Sequence, residues 1–590
     1  MNSIDWLVIG LYLIGTLFLG FSLHKKASEN IDAFFLGNRQ IPWWALGASG
    51  MASNIDVAGT MVISALVYTL GTKGLYIEMR GGMVLVLAFF MAFLGKWTRR
   101  AQVMTAAEWM KLRFGTGREG KIARLMSASA NLISHIWIIS YFAVGGGKFF
   151  GLFLGIGDQW ASVLMIVITL LYATASGFYG VVWTDVFQGS IILIGILYLV
   201  GLAWKMPALP DIFSVSIPTG KGTFEQIPIR YADWSSIFPP KTMDLPGNYS
   251  IYNLFGITIF FYFLKTSIEG FGGAGGYMSQ RYCAAKSDRE AGLLTAFWIF
   301  LLSFRWPLVT AIAILAIHHS ITHGPLVDPE LALPLVIMNY APVGMKGLLV
   351  ACFMAAAMST FVAIINASAA YWVKDIYQAY INPQASEKKL LVHSRWASIL
   401  IVVLGLGFSL PVVNINDIWG WLTMAFGAGL FVPLLLRWYW WRYSGYGFAW
   451  GTAAGMLSAI FVRYSGISVP EYMNFVIPGS CSLMGCILGT YLCRPTEPSI
   501  VRHFYEVTRP FGFWGPIRAL IAPDLQKKIR RENRNDIWAT IFAVPWMITL
   551  SLWGMLLVMK RWDHFAYLST TLIVLSVGLY FVWYKNLEEV

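Results

Sequence analysis

The sequence GASGMASNIDVAGT, from Gly47 to Thr60, is the most informative segment of the chain. It interrupts an apolar helical segment with small residues, with Asn54 and with the acid Asp56. An unpaired backbone group is costly in hydrocarbon, so such a segment has to line a protein interior or a watery cavity. A helix that breaks here offers free carbonyl oxygens to a cation.

The composition around this stretch is that of a polytopic membrane protein. Hydrophobic residues make up 57% of the 590 residues and charged residues only 12%, which excludes a soluble enzyme of ordinary design. Apolar windows long enough to cross the bilayer recur about fifteen times. We therefore expect an all-α protein with about fifteen transmembrane helices.

The net charge of the chain is +13, but the basic residues fall in alternate loops, as a membrane topology requires, and form no continuous stripe. This distribution argues against a nucleic-acid partner. Basic residues are concentrated in three segments, 96–121, 374–395 and 494–534. By the positive-inside rule these segments are cytoplasmic. This predicts a multi-pass protein of the plasma (inner) membrane with its N-terminus outside and its C-terminus inside.

A second interrupted helix occurs in KTSIEGFGGAGGYMSQR, from Lys265 to Arg281, with five glycines in the seven positions 270–276. Each broken helix opens a run of five spans, 43–206 and 251–442, and an odd number of spans inverts the second run relative to the first. Matched breaks in two inverted halves are typical of a transporter with a midplane binding site, whereas a GxxxG dimerisation face would explain only one of them. The remaining segments are a first flanking helix with its link, 1–42, an external loop or lid, 207–250, and flanking helices, 443–590, with a basic cytoplasmic loop, 494–536.

The third helix of the second run contains ACFMAAAMSTFVAIINAS, residues 351–368. Its adjacent hydroxyls, Ser359 and Thr360, have two interpretations. They can bond to their own backbone and help helices pack closely, as hydroxyls in membrane spans usually do. Beside a broken helix they can instead supply the hard oxygen ligands that alkali cations prefer.

Five ordered motifs resemble the sodium/solute symporter family over nearly the whole chain. They are LGNRQIPWWALGASGMASNI, TAAEWMKLRFG, GFYGVVWTDVFQ, SQRYCAAKSDREA and GLLVACFMAAAMST. The resemblance implies the leucine-transporter fold and alternating access around the two broken helices. It also implies a sodium site between the first broken helix and the eighth core helix, formed by the backbone carbonyls of Ala52, Ile55 and Ala356 and the hydroxyls of Ser359 and Thr360.

The resemblance also bears on Asp185. Some relatives have a further sodium site that uses an acid at this position and hydroxyls where this chain has Val362 and Ala363. We therefore expect one coupling Na⁺, with Asp185 structural or proton-linked, and a second cation at Asp185 stays the alternative.

The solute is less well defined by the sequence. Sugar-transporting relatives have an amide after the first break, an acid in the second core helix and amides near the second break. The matching positions here are Gly59, then Glu78 and Arg80, then Gly275, so that pattern is not reproduced.

Two arguments about the charge of the solute disagree. Intramembrane Arg80, Lys265 and Arg305 favour a carboxylate or another anion, unless they pair internally with Glu78, Asp56 and Glu269. A single sodium ion favours a neutral or zwitterionic solute, because a monoanion cancels the voltage term. The candidate solute-binding residues are Asn54, Asp56, Glu78, Arg80, Glu269, Tyr277 and Trp421.

The function that these features predict is sodium-coupled import of a small polar organic solute: a sugar, a sugar derivative or an organic acid. Aromatic residues near the breaks, Phe271, Tyr277 and Trp421, are candidates to close the outer path. The expected partners are Na⁺, the solute and the lipid bilayer, with no obligatory protein partner. A sodium-independent channel and a sensor of the same fold are the alternatives. An enzyme is not expected, because His135 with Ser134 forms no triad.

Cysteine and histidine add little. Four of the five cysteines lie in predicted spans and Cys283 lies in a cytoplasmic loop, so no external disulfide framework is expected. His318, His319 and His323 fall in an external loop, which favours a solvated loop over a metal site.

Overall fold

The computed structural model describes residues 1–23, 31–220, 223–273, 276–324, 326, 328–410, 415–465 and 469–587, and these are mostly helical. The α-helices up to the external hairpin are Ser3–Ser22, Ile31–Leu36, Trp43–Ala52, Val57–Leu70, Lys73–Ile77, Val86–Phe89, Gly95–Arg100, Trp109–Phe114, Arg118–Leu154 and Asp158–Lys205. Those that follow it are Tyr231–Trp234, Phe255–Gly272, Gly276–Cys283, Asp288–Ser303, Arg305–His323, Ala332–Tyr340, Met345–Ala370, Glu387–Ser409, Ile415–Gly420, Gly427–Tyr439, Gly445–Tyr464, Glu471–Leu492, Pro498–Thr508, Gly515–Arg518, Pro523–Met559 and Trp562–Val582. Short 3₁₀ or π segments extend or link several of these helices.

Among the described residues, 11 helices are long and apolar enough to cross a membrane, and a bent pair adds one more span. The other three predicted spans are interrupted or shorter. They are the stretch 73–100, the helix Asp158–Leu170 and the second broken helix, 255–283. The expectation of about fifteen spans therefore agrees with the structure once interrupted helices are counted.

The first broken helix consists of Trp43–Ala52 and Val57–Leu70, which meet at an angle of 63°. Asp56 begins its second half as an N-cap, because its carboxylate accepts a hydrogen bond from Gly59 N at 2.5 Å. The first half packs closely against Asp288–Ser303, where Gly50 lies against the Trp298 indole and a Cβ would come within 2.3 Å of it. This close packing explains why small residues dominate the stretch.

The second broken helix ends its first half at Gly272 and begins again at Gly276. Gly273 has φ +89° and Gly276 has φ +69°, in the left-handed region that glycine adopts without a steric penalty. Gly275, which the sequence comparison singled out, lies outside the described residues.

The segment 207–250, which was predicted to be an external loop or lid, contains more regular structure than a loop. Ile212–Gly220 and Thr223–Arg230 form an antiparallel hairpin. Phe213, Val215 and Ile217 of its first strand are buried hydrophobic residues at alternate positions in the sequence, a period-two pattern that the Pro and Gly residues nearby obscured. The segment then covers the end of the first broken helix, where Thr72 N donates to Trp234 O at 3.0 Å.

The predicted loop positions of Cys283 and of the three histidines are wrong, because helices extend over these residues. All five cysteines are free, and Cys283 is buried at the end of its helix instead of lying in an open loop. His318, His319 and His323 lie in the last turns of Arg305–His323. Within the described residues, no group of three or more His, Cys, Asp or Glu side chains could hold a metal ion.

Candidate functional site

A buried group of polar side chains joins the first broken helix to three other helices. This hydroxyl cluster consists of Ser49, Ser53, Asp185, Arg281 and Ser359, all almost completely buried. The Asp185 carboxylate accepts from Ser49 Oγ at 2.5 Å, from Ser359 Oγ at 2.6 Å and from Ser53 Oγ at 3.4 Å. Arg281 Nη2 donates to Ser53 Oγ at 2.6 Å and to Ser49 Oγ at 2.8 Å, and lies 3.4 Å from Asp185 Oδ2.

The hydroxyl cluster brings the two halves of the expected sodium site together. Ser53, at the first break, and Ser359, on Met345–Ala370, have their hydroxyl oxygens 3.4 Å apart. Thr360 Oγ1 donates to the carbonyl of Ala356 at 3.1 Å, one turn away in its own helix. In the described part of the chain, no hydrogen bond ends on the carbonyl oxygens of Ala52 and Ile55.

A cavity of about 250 Å³ lies next to the hydroxyl cluster, between the two broken helices. We call it the solute cavity. Thr360 lines it, so the cavity begins at the expected sodium site. Of the candidate solute-binding residues, five line it: Asn54, Asp56, Glu78, Glu269 and Tyr277.

The basic residues that line the solute cavity each have a partner. Lys265 Nζ lies 2.8 Å from Glu269 Oε2 and donates to the carbonyl of Arg80 at 2.5 Å. Arg305 Nη1 donates to the carbonyl of Gly82 at 3.0 Å, and its Nη2 lies 3.6 Å from Asp56 Oδ2. Internal pairing, one of the two explanations that the sequence allowed, therefore accounts for both cations.

Three buried polar atoms of residues that line the solute cavity have no hydrogen-bond partner among the described residues. They are the acceptor Asn54 Oδ1, the donor Arg305 Nε and the hydroxyl of Tyr141. The amide nitrogen of Asn54 is in use, since Nδ2 donates to Tyr277 Oη at 2.9 Å. The residues around the cavity thus keep one free acceptor, one free donor and one free hydroxyl for whatever occupies it.

Arg80 lies outside the set of described residues that line the cavity. Its guanidinium is buried between Glu78, at 3.1 Å, and Glu471, at 2.9 Å, and it also bonds to Asn416 and Tyr252. Glu471 belongs to a flanking helix, so Arg80 ties the second core span to that helix. The arginine is an internal cross-link, which removes the strongest sequence argument for an anionic solute.

The tryptophan at the cavity is Trp419 and not Trp421. Trp419 stacks on Tyr141 at 5.0 Å, and its Nε1 donates to Glu78 Oε2 at 3.1 Å. Trp421 packs on Trp137 at 4.9 Å and donates to the carbonyl of Ala459. Trp421, the predicted solute-binding tryptophan, therefore lies outside the set of described residues that line the cavity, and it begins a π-helical segment whose winding the sequence does not show.

Phe271 also differs from the expectation of an outer aromatic gate. Its ring contacts Phe89 at 4.9 Å, Phe93 at 6.0 Å and Phe511 at 6.4 Å. Phe511 belongs to the basic segment 494–536, which the positive-inside rule assigns to the cytoplasm. Phe271 therefore packs toward the face of the protein that carries the segment 494–536.

Sequence reasoning missed three members of the hydroxyl cluster and the partner of Arg80. Ser49 and Ser53 are four residues apart and so share a helix face, a spacing that was visible in the quoted stretch. Arg281 ends the SQR triplet of a motif that was quoted only for its resemblance. Glu471 gave no such signal, because its partner Arg80 is nearly 400 positions away in the chain.

Comparison with known proteins identifies the class. The model of the sodium:solute symporter family matches residues 34–455, which is well over half of the chain. The chain belongs to this family. It is a multi-pass membrane transporter with the leucine-transporter fold, and Na⁺ is its coupling ion.

Individual relatives agree with this assignment. The chain is 25% identical over 505 residues to the sodium/glucose cotransporter of Vibrio parahaemolyticus, covering 80% of this chain and 87% of that protein. It is 26% identical over 558 residues to sodium/myo-inositol cotransporter 2 of Oryctolagus cuniculus, covering 86% and 79%. The structure of a Na⁺-coupled sialic acid symporter in a substrate-bound outward-open state matches with a TM-score of 0.63 at 19% identity, covering 84% of this chain and 99% of that chain, which establishes the fold alone.

Proposed function

We propose that this protein imports a neutral polyhydroxylated solute, a sugar or a cyclic polyol, together with one sodium ion. The observation that carries the proposal is the internal pairing of both cations of the solute cavity, Lys265 with Glu269 and Arg305 with Asp56. An anionic solute would have to displace a carboxylate from a buried ion pair, which is expensive. The names of two relatives, a sodium/glucose and a sodium/myo-inositol cotransporter, refer to solutes of this class.

The free polar atoms of the cavity support a hydroxylated solute. Asn54 Oδ1 lacks a donor and Arg305 Nε lacks an acceptor. A hydroxyl group can donate to the first and accept from the second, whereas a carboxylate can only accept. Aromatic side chains, Tyr277 and Trp419, add flat apolar faces against which a sugar ring can pack.

Arg305 takes the place that an amide has in sugar-transporting relatives. A Cβ at Gly59 would come within 2.8 Å of Asp56 Oδ2 and 2.9 Å of Arg305 Nη2. The Asp56–Arg305 pair therefore fills the space that a longer side chain at position 59 would occupy. We infer that this pair supplies hydrogen bonds to the solute from the same direction, using groups of another helix.

The sodium ion binds, in this proposal, to the carbonyls of Ala52, Ile55 and Ala356 and the hydroxyls of Ser359 and Thr360. The unengaged carbonyls of Ala52 and Ile55 support this assignment, as does the 3.4 Å approach of Ser53 to Ser359. Sodium entering from outside links the first broken helix to the helix of Ser359 and so favours the outward-open state. Asp185 is occupied by three hydroxyls and Arg281, which supports a structural role for it.

The coupling then proceeds by alternating access. With sodium in place, the solute binds in the adjacent cavity, and closure of the outer path commits both to the inward-open state. Release of sodium into a low-sodium cytoplasm resets the cycle. The basic segments place the N-terminus outside and the C-terminus in the cytoplasm of a plasma (inner) membrane by the positive-inside rule.

Energetics favours the neutral solute as well. One sodium ion moving inward down about 100 mV gains ~2.3 kcal/mol. A tenfold concentration gradient adds ~1.4 kcal/mol, and together these could concentrate a neutral solute about 500-fold. A monoanion carried one-to-one cancels the voltage term and leaves about tenfold.

The test is uptake into proteoliposomes under an imposed sodium gradient. Radiolabelled glucose, myo-inositol and sialic acid are compared, with potassium replacing sodium in parallel samples and the membrane potential clamped by valinomycin. We expect sodium-driven accumulation of a neutral polyol that increases with inside-negative potential. Ser359→Ala with Thr360→Ala should abolish the sodium dependence. The control is Ser394→Ala with Ser398→Ala, which removes two hydroxyls from the helix Glu387–Ser409 and should retain the sodium dependence.

Each alternative has its own signature. Sodium-dependent uptake of sialic acid alone would contradict the neutral-solute assignment. Solute fluxes that are fast and equal in sodium and potassium would indicate a channel. A double Ser359 and Thr360 variant that keeps full sodium dependence would overturn the sodium-site assignment while leaving sodium coupling itself intact.

A further inference from the structure

A histidine lines the solute cavity from the helix Arg118–Leu154. This residue, His135, is only 3% exposed, and among the described residues it forms no ion pair with an acid. A buried ring without an acidic partner is neutral, because burial penalises the charged form. A neutral imidazole has one nitrogen that donates a hydrogen bond and one that accepts. The tautomer therefore decides what His135 can offer to a solute.

The hydrogen bond between His135 and the helix Met345–Ala370 fixes this tautomer. Nδ1 lies 2.7 Å from Ser368 Oγ. Ser368 Oγ also lies 2.7 Å from the carbonyl oxygen of Ile364, which can only accept. The single hydroxyl proton of Ser368 is thus used on Ile364, so both bonds form together only if Nδ1–H of His135 donates to Ser368 Oγ. Nε2 is then the unprotonated nitrogen, and it is an acceptor.

Nε2 of His135 faces the second broken helix. A Cβ at Gly276 would come within 2.8 Å of Nε2, so the ring reaches the backbone where the second half of that helix begins. The amide of Gly276 is already engaged, because it donates to Tyr371 Oη at 3.1 Å. No hydrogen bond of the described residues ends on Nε2. Ala274 and Gly275, which precede Gly276 in the chain, have no side-chain donor.

Two other polar side chains on this face of Arg118–Leu154 are turned back on their own helix. Asn131 Nδ2 donates to the carbonyl of Ser127 at 2.8 Å, and Ser134 Oγ donates to the carbonyl of Ala130 at 2.8 Å. Both side chains line the solute cavity, as His135 does. The imidazole differs from them because its bond to a second helix holds the ring in place and leaves Nε2 available.

We propose that His135 Nε2 accepts a hydrogen bond from one hydroxyl group of the solute and so helps to select a polyhydroxylated ligand. The inference rests on the proposed function, because it names a contact in the same cavity. Asn54 Oδ1 at the first break and His135 Nε2 at the second present acceptors to the solute, and Arg305 Nε presents a donor. A solute without a hydroxyl at this place leaves Nε2 unpaired and binds more weakly.

The test compares His135→Asn with His135→Gln in the full-length protein, reconstituted in proteoliposomes. The amide nitrogen of asparagine is attached to the same carbon as Nδ1, so it can still donate to Ser368 Oγ, but nothing replaces Nε2. The amide of glutamine extends one carbon further and places a polar group near the position of Nε2, at the expense of the Ser368 contact. The two variants thus separate the bond to Met345–Ala370 from the bond to the solute.

The assay is sodium-driven uptake of glucose or myo-inositol, whichever the parent accumulates better, in competition with its monodeoxy and deoxyfluoro analogues. In the parent, we expect removal of one particular hydroxyl to weaken inhibition about tenfold. The matching deoxyfluoro analogue should be as weak, because fluorine cannot donate to Nε2. His135→Asn should bind the intact solute about tenfold more weakly and no longer distinguish it from that deoxy analogue. His135→Gln should keep part of the discrimination.

Four results would overturn the proposal. His135→Asn could discriminate against every deoxy analogue as strongly as the parent, which would show that Nε2 binds no solute hydroxyl. A deoxyfluoro analogue as good as the intact solute would show that Nε2 donates. Retention of the parent's affinities by His135→Asn, with their loss in His135→Gln, would mean that the histidine acts only through Ser368. Loss of the thermal stabilisation by sodium in both variants would assign His135 to the fold.

Failure of the proposed function is distinguishable from these four results. A parent protein that accumulates neither glucose nor myo-inositol with sodium would contradict the proposed function, and this inference with it. That outcome is visible in the parent alone, whereas the four results above require a parent that transports a neutral polyol and differ only in how His135 contributes.

Discussion

The hydroxyl cluster and the solute cavity are adjacent and share the first broken helix, yet they are built from different groups. In the hydroxyl cluster, a single carboxylate, Asp185, faces three serine hydroxyls and one guanidinium. In the solute cavity, Lys265 and Arg305 each lie against a carboxylate. Both regions are charge-compensated, but the first also gathers three serine hydroxyl oxygens, and hard oxygen atoms suit a cation. The second has two ion pairs around a cavity, which suits a neutral solute.

The difference shows how a symporter can keep two neighbouring sites chemically distinct. Oxygen atoms of the backbone and of serine carry no net charge, so a site built from them can bind and release an alkali ion without leaving a strong charge behind. Paired side-chain charges supply donors and acceptors without a net field. We expect each region to fail in its own way when it is perturbed.

The largest effect should come from Arg281→Gln. This change leaves the Asp185 carboxylate buried without its cation, and loss of one partner of a buried pair costs about 3–5 kcal/mol. Unfolding in detergent with potassium as the only alkali cation measures the loss. Asp185→Asn added to Arg281→Gln should recover most of it, because the remaining groups are neutral and can still hydrogen-bond.

The matched control for this prediction is Arg463→Gln. Arg463 forms a bidentate pair with Asp417 at 2.7 Å and 3.1 Å, but both side chains are substantially exposed. An exposed pair contributes about 0–1 kcal/mol. If Arg281→Gln were no more damaging than Arg463→Gln, Asp185 would not depend on Arg281, and the contrast between the two regions would be lost.

The two regions also differ in how much of them the sequence reveals. The hydroxyl cluster draws Ser53 and Ser359 from motifs with a visible chemical pattern, and the resemblance pointed to both segments. The ion pairs of the cavity depend on which helices lie next to each other, and this cannot be predicted from the types of the individual residues. Arg80 was interpreted as a solute ligand for that reason, although Glu471 on a distant flanking helix is its partner.

The fold was more predictable than either site. Hydrophobic windows, basic loops and two glycine-rich breaks are local signals, and they were sufficient to identify the membrane spans and both broken helices. The hairpin of residues 212–230 was not predicted from the sequence. Its alternation of hydrophobic and polar residues, from Phe213 to Ile217, is short and is followed by Pro218 and Gly220. The identity of Trp419 as the cavity tryptophan depended on local helix winding, which no periodicity in the sequence indicates.

Gly59→Ala tests whether the Asp56–Arg305 pair belongs to the solute site alone. The new Cβ would crowd the ends of both side chains, at 2.8 Å and 2.9 Å, and push the pair apart without touching backbone. We expect a rise of about tenfold in the KM for the solute, equivalent to ~1.4 kcal/mol. Sodium should stabilise the variant against heat as much as it stabilises the parent, because the hydroxyl cluster is not displaced.

Gly10→Ala is the control for this change. It lies in the first flanking helix, where a Cβ meets nothing within 4 Å. It should leave both KM and the sodium response unchanged. A Gly59→Ala protein with a normal KM would show that the ion pair is structural, whereas loss of the sodium response would show that the two regions are not separable.

The smallest effect distinguishes two neighbouring tryptophans. Trp419→Phe removes the indole donor to Glu78 Oε2 and leaves that carboxylate with its Arg80 and Gly82 contacts. A lost hydrogen bond at a wet cavity costs about 1 kcal/mol, so solute affinity should fall about fivefold.

Trp421→Phe removes an equivalent donor, the one to the carbonyl of Ala459, on the far side of the same helix. It should change solute affinity less than twofold, as measured by solute-dependent thermal stabilisation in sodium. A larger effect from Trp421→Phe than from Trp419→Phe would move the solute away from the described cavity, and with it the argument that the paired charges select a neutral ligand.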